Sequence, residues 1–140
     1  MTFFANTLRL THSATLQMLT AAVAKAEAMG QPQCIVIVDA SGEVLGKIRM
    51  TGAKFLSLRS AFAKAQTAAS IGAPTENVPE IMRPALSLAT QGGITWLKGG
   101  LPIRIKGELV GGIGIGSGTG DQDYEVALAS LAAIGADLPA

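Results

Sequence analysis

The stretch from Gly99 to Leu131, GGLPIRIKGELVGGIGIGSGTGDQDYEVALASL, constrains the fold more than any other part of the chain. It reads as a strand, a tight turn, a glycine-spaced strand and a capped helix. Leu101, Ile103, Ile105, Leu109, Ile113 and Ile115 place apolar side chains at odd positions. Arg104, Lys106 and Glu108 hold even positions first, and Gly112, Gly114 and Gly116 follow them. One face of the second strand therefore packs a core, and the other has almost no side chains. Such a face admits the close approach of a helix, a second subunit or a flat ligand.

The rest of the chain supplies partners for this unit. Thr11 suits an N-cap, Leu16, Leu19, Val23 and Ala26 follow at helical spacing, and Gly30 with Pro32 marks the stop. Residues 34–38, CIVIV, form the continuous apolar run of a buried strand. After the turn at 40–43, Val44, Gly46, Ile48 and Met50 alternate with Leu45, Lys47 and Arg49, so a second strand pairs back as a hairpin. Ser57 is the expected cap of a second helix with Leu58, Ala61, Phe62, Ala65 and Ala69 inward. Asn77 and Glu80 suggest a capping box for a short third helix that Pro84 should break. Thr90 to Trp96 reads as extended. Thr119 with Gln122 forms another capping box, Asp121, Asp123 and Glu125 suit the positive end of the helix dipole, and Ala127, Leu131, Ile134 and Leu138 form the buried stripe. The pattern predicts a single α+β domain over 1–140: a central antiparallel sheet of about five strands flanked by helices.

The 140 residues carry 11 Lys plus Arg against 10 Asp plus Glu, a net +1 with no basic run, which argues against nucleic acid. Only 15% of residues are charged and mean hydropathy is +0.40. No uncharged apolar run is long enough to span a membrane. The expected outlet for the apolar surface is burial against copies of the same chain, in a homo-oligomer larger than a dimer. A single cysteine, Cys34, excludes an intrachain disulfide, and no signal-peptide pattern is seen, so the expected location is cytoplasmic.

No complete catalytic motif is present. From Gly112 or Gly114 the third position of G-x-G-x-x-G falls on Ser117 or Thr119, so the dinucleotide fingerprint fails. Backbone N–H groups near Ser117, Gly118 and Thr119, just ahead of a helix, could still bind an anion, or the glycines could serve close packing alone. His12 is the sole histidine, which excludes a Ser-His-Asp triad and any two-histidine metal site within one chain. It is either a surface residue or an axial ligand to a haem or corrinoid, where one imidazole suffices. Cys34 opens an apolar strand and reads as a small core residue. Arg49 and Lys64 are either solvated or paired with a ligand carboxylate. Asp121 and Asp123 serve the helix dipole first and acid–base chemistry second.

These pieces also resemble a known family. VDASGEVLGKIRMTGA at 38–53, KAQTAASIGAPT at 64–75, GGLPI at 99–103 and GELVGGIGIGSGTGDQDYEVA at 107–127 are similar to the GlcG/HbpS-like (DUF336) proteins, which include the C-terminal domain of PduO. With the leading helix they cover nearly the whole chain. The resemblance implies a profilin-like layer, oligomers up to octamers, and an association with haem binding, corrinoid metabolism and the glycolate locus. It implies an N-terminal histidine as haem ligand, in the region of His12. Thr51 stands where the family usually shows Asp, and the secreted members carry an export signal not seen here.

The expected function is binding of a tetrapyrrole, haem ahead of a corrinoid, on the bare glycine face. Arg49 or Lys64 would hold the propionates, His12 would serve as possible axial ligand, and Ser117, Gly118 and Asp123 would complete the ligand-binding set. A metal-independent enzyme acting on a small carboxylate, with Asp121 or Asp123 carrying protons, is one alternative. A structural accessory protein without a ligand is the other.

Overall fold

The computed structural model describes residues 2–139. The elements are α1 (His12–Met29), β1 (Cys34–Asp39), β2 (Val44–Arg49), α2 (Ser57–Ile71), two short 3-10 turns (Thr75–Asn77 and Glu80–Met82), α3 (Arg83–Ala89), β3 (Gly100–Ile105), β4 (Glu108–Gly116) and α4 (Gly120–Ala133). The strands form one antiparallel sheet in the order β2-β1-β4-β3. This is the expected α+β layer, with four strands among the described residues rather than about five.

Both faces of the sheet are covered. Ile35, Ile37, Leu101, Ile103, Ile113 and Ile115 meet Met18, Ala22, Val126 and Leu131 of α1 and α4. Burying each large side chain of this kind contributes about 1.5–3 kcal/mol. On the other face Cys34, Val36 and Val38 meet Ala61, Ala65 and Ala69 of α2.

The bare glycine face belongs to α2. A Cβ at Gly112 would land on the carbonyl oxygen of Ala65, one at Gly114 on that of Ala61, and one at Gly116 would lie 2.8 Å from that of Ser57. The match has a simple metric cause. Four helix residues rise about 6 Å, and two strand residues advance about 6.6 Å. Every second strand residue, here a glycine each time, therefore meets every fourth helix carbonyl, with the two elements running in opposite directions. Of the three occupants the sequence allowed, a helix of the same chain takes the face, and it leaves no flat surface there for a macrocycle or a second subunit.

Other departures from expectation have local causes. In α1 the buried residues are Thr15, Met18, Leu19, Ala22 and Ala26, whereas Leu16 is 62% exposed. Gly46 accounts for the turned helix: a side chain there would press on Thr15 Cγ2 and Leu19 Cδ1. Between Ile37 and Val38 the β1–β2 register shifts, leaving Leu45 without a partner. This bulge puts Val44 opposite Val38 instead of on the face of Gly46 and Ile48.

Helix α2 begins without a side-chain cap, its N-cap being Leu56 rather than Ser57. The N–H groups of Ser57, Leu58 and Arg59 already donate to the carbonyls of Lys54, Phe55 and Leu56. Pro84 lies in the first turn of α3 and starts that helix, because its missing N–H falls where no intrahelical partner exists. The Asn77–Glu80 capping box is replaced by the two 3-10 turns. Residues 90–96 do not form a strand. Their backbone is held by hydroxyls: Ile94 N–H donates to Thr90 Oγ1, Thr95 N–H donates to Thr67 Oγ1, and that hydroxyl donates to the Gly93 carbonyl. Thr11 and the Thr119–Gln122 capping box hold as read. Helix α4 ends at Ala133, and Leu138 lies beyond it, exposed.

Candidate functional site

The antiparallel order gathers the start of β1 and the ends of β2 and β4 at one end of the sheet. Cys34 pairs with Arg49 on one side and Gly116 on the other. Ser117 and Gly118 follow Gly116 directly and lead into α4. Arg49, Ser117, Gly118, Asp123 and Lys64 are thereby drawn to one end of the molecule, around Cys34.

Most of that set is bound up internally. Lys64 Nζ lies 2.8 Å from Asp123 Oδ2, with side chains 5% and 3% exposed. The same ammonium donates to the Ile115 carbonyl at 2.7 Å. The other Asp123 oxygen accepts from Gly118 N–H at 3.1 Å. Gly99, at φ +121°, passes so close that a Cβ would lie 3.0 Å from Lys64 Nζ and 2.6 Å from Asp123 Cβ. The Gly99-Gly100 pair is therefore a local signal for the buried ion pair. Of the N–H groups expected to meet an anion, that of Gly118 donates to Asp123 and that of Thr119 to Gln122 Oε1. Ser117, at φ +93°, accepts from Lys54 N–H through Oγ and from Gln31 Nε2 through its carbonyl.

Two further buried groups lie here. Cys34 is fully buried, and its thiol donates to the Lys54 carbonyl at 3.4 Å. Burial pushes its pKa up from 9.0, Arg49 pulls it partly back, and Asp123 adds to the rise. Gln33 is fully buried, and neither its amide nitrogen nor its amide oxygen has a partner among the described residues. Nothing in the residue pattern signals this, because a glutamine before an apolar run reads as the residue that precedes a strand.

Arg49 differs from the rest: it is exposed and borders two concavities. One, of about 580 Å³, is lined by Glu27, Pro32, Ile48, Arg49, Met50 and Thr51. The other, of about 570 Å³, is lined by Arg49, Ala53, Lys54, Phe55 and Leu56, with two serines. Lys64 lines neither, so the expected joint Arg49–Lys64 pocket does not form. Thr51, the position at which the resemblance expects Asp, faces the first cavity, where Glu27 supplies a carboxylate that the sequence did not single out.

His12 lies apart. It is the first residue of α1 and exposed, whereas the Arg49 cavity meets the other end of that helix at Val23, Ala26 and Glu27. At about 1.5 Å per residue, His12 and Ala26 are about 21 Å apart along the axis. One tetrapyrrole cannot take His12 as iron ligand and place its propionates on Arg49 of the same protomer. Among the described residues no group of three or more His, Cys, Asp or Glu could hold a metal ion directly. No helix there is long and apolar enough to cross a membrane.

The chain matches, over residues 10–132, the family described as haem degrading protein HbpS-like. It belongs to the HbpS-like family. It is similar to the corrinoid adenosyltransferase PduO of Salmonella typhimurium, with 32% identity over 123 residues that cover 84% of this chain and 37% of PduO. The chain thus spans little more than a third of that relative. Its fold is similar to that of PduOC, solved as a complex with heme, at a TM-score of 0.86 and 30% identity, covering 93% of this chain and 98% of that one. Klebsiella pneumoniae protein ORFY gives a TM-score of 0.91 at 27% identity, covering 96% and 97% of the two chains.

Within this HbpS-like chain the fit to haem can be tested on the residues themselves. The His12 imidazole is exposed and makes no hydrogen bond among the described residues. Leu16, one helical turn on, is 62% exposed, and Leu8 and Arg9 in the segment that leads into α1 are exposed as well. An open imidazole, apolar contact surface and a cation for a propionate suit one side of a haem. The donor set fits as half of a site.

Proposed function

We propose that this HbpS-like protein binds haem through His12, as a subunit of a homo-oligomer. The observation that carries the reading is the sole histidine of the chain, held open at the start of α1 between exposed leucines. The heme complex of PduOC, whose fold matches over nearly its whole length, supports it. Haem would supply a redox-active iron with a strong Soret absorption. His12 would present the nitrogen, Leu16 and Leu8 would supply apolar contact, and Arg9 would meet a propionate. A macrocycle has two faces and one protomer covers one, so a second copy is the natural source of the other wall. A corrinoid is the second ligand, on the likeness to part of PduO. A cytoplasmic setting agrees with the single, buried Cys34, since a reducing compartment asks for no disulfide.

A metal-independent enzyme acting on a small carboxylate remains the alternative, and one observation favours it. Arg49 and Glu27 line a common cavity, so an anchor and a proton carrier stand together there. In this reading Glu27 takes the role first given to Asp121 or Asp123, because Asp123 is engaged with Lys64 and Asp121 with Lys98.

Titration with hemin tests the leading reading. Saturable binding with a Soret band that shifts or weakens in His12→Ala is the expected result. Binding with an unchanged spectrum in that variant would remove His12, and no binding at all would move the weight to the Arg49–Glu27 cavity.

A further inference from the structure

Lys47, Arg49, Lys54 and Arg59 come together where β2 meets the start of α2. Lys47 and Arg49 lie on the α2 side of β2, opposite Val36 and Cys34. Lys54 and Arg59 flank the first residues of α2. All four are exposed. Among the described residues the ion pairs are Lys64–Asp123 and Lys98–Asp121, so none of the four has an anionic partner. For a chain of net charge +1 this is a marked local excess.

The same surface is apolar between its cations. The cavity of about 570 Å³ beside Arg49 and Lys54 has Ala53, Phe55 and Leu56 in its wall, and Phe55 and Leu56 are 66% and 58% exposed. A neighbouring cavity of about 350 Å³ is lined by Val36, Val44, Leu58 and Phe62, with Lys47 and Arg59. Among the described residues no carboxylate lines either cavity.

A second copy is a poor occupant. A two-fold contact presents the same patch to itself and would set these cations against one another. An inorganic anion would use the charges and leave the apolar walls wet. A rigid macrocycle cannot occupy two separate cavities at once, whereas a flexible chain can reach from one into the other. Cavities of this size, apolar with a few charged groups, suit a small organic ligand.

We propose that the β2–α2 face binds an acyl carboxylate, its head on Arg49 and Lys54 and its chain along Leu58, Val44 and Phe62. The proposal is independent of haem binding at His12, which lies at the far end of α1.

Sodium decanoate, titrated into isotope-labelled protein and followed by amide chemical shifts, tests it. Saturable shifts confined to residues 44–49 and 53–62 are expected. An Arg49→Gln/Lys54→Gln double variant should bind about tenfold or more weakly, as loss of charge-assisted hydrogen bonds implies. Both positions are exposed, so the variant should keep the native spectrum elsewhere, and Val44→Gln should weaken binding through the chain rather than the head. His12→Ala should bind decanoate like the wild type. Equal binding of decyltrimethylammonium would overturn the proposal by showing that the charge is irrelevant. The same saturable shifts with inorganic phosphate alone would overturn it by showing that the apolar walls are. Unchanged affinity in the double variant, or shifts that map elsewhere, would do so as well.

Discussion

Lys64 and Asp123 join α2 to α4 through an ion pair of 2.8 Å from which solvent is almost wholly excluded. The remaining contacts of the pair are also internal: the Ile115 carbonyl on the ammonium and Gly118 N–H on the carboxylate. Two buried charges hold because each neutralises the other and hydrogen bonds take up what is left. Removing one strands its partner in a place without water, which typically costs about 3–5 kcal/mol. Lys64→Met and Asp123→Asn should each lower stability by an amount of that order in chemical denaturation. The Lys64→Met/Asp123→Asn double variant should lose less than the sum of the two single changes. Strict additivity would show that the two charges do not depend on each other.

Gly114 is the tightest point between sheet and helix. A Cβ there meets the Ala61 carbonyl and lies 2.6 Å from Ala65 N. Backbone cannot swing aside as a side chain can, so Gly114→Val must push α2 off the sheet. Overpacking of this kind costs about 1–3 kcal/mol and occasionally more. Lys106→Ala, on an exposed turn, should change stability by less than about 0.5 kcal/mol. Equal melting temperatures for the two variants would contradict the close approach.

Cys34 should be inert in the folded protein. It is fully buried, and burial holds its thiol pKa above 9.0 despite the pull of Arg49. Iodoacetamide should label it only under denaturing conditions. The raised pKa also sets a sign for pH. Above about pH 9 the unfolded chain loses this proton while the folded chain keeps it, so this contribution to stability falls as pH rises. Arg49→Gln removes the opposing influence and should raise the thiol pKa further. Rapid labelling of the native protein at neutral pH would refute the burial.

What the sequence disclosed was whatever leaves a periodic or stereochemical trace. Alternation from Leu101 to Ile115 gave the β3–β4 hairpin, CIVIV gave the buried strand, and Thr11, Gly30 and Thr119 gave helix ends. The glycines at 112, 114 and 116 announced a close approach but not by what. That depended on the match between helix rise and strand spacing, which appears only once α2 is docked. Lys64 and Asp123 were each picked out, yet their pairing spans 59 positions, and nothing local links an ammonium in one helix to a carboxylate in another. The patch of Lys47, Arg49, Lys54 and Arg59 was invisible for a related reason: β2 and α2 interleave it with apolar residues, so no basic run exists to be read. Leu45 shows the limit of counting by twos, since one unpaired residue reversed the face on which Val44 lies.

The protein should be a homo-oligomer larger than a dimer. Both faces of the sheet are already covered within the chain, so the argument must rest on what remains outside. Phe3 and Phe4 are 89% and 92% exposed, and Leu16, Ile81 and Leu88 are each more than 60% exposed on separate elements. Scattered apolar residues are ordinary on a monomer. Here they occur on the N-terminal segment, on α1 and around α3, in a chain of which only 15% is charged. Covering surfaces on several sides takes more than one two-fold contact, which is how dimers build into larger closed assemblies. Light scattering coupled to size exclusion should give a mass above twice the 14.3 kDa of one chain at micromolar concentration. Leu16→Glu, beside His12, should lower that mass if α1 lies in a contact, and it should weaken haem binding in step if a second copy supplies the other wall of the site. A monomer at that concentration would refute the assembly and, with it, the two-walled haem site. An intact oligomer that loses haem in Leu16→Glu would instead place the leucine against the macrocycle and the subunit contact elsewhere.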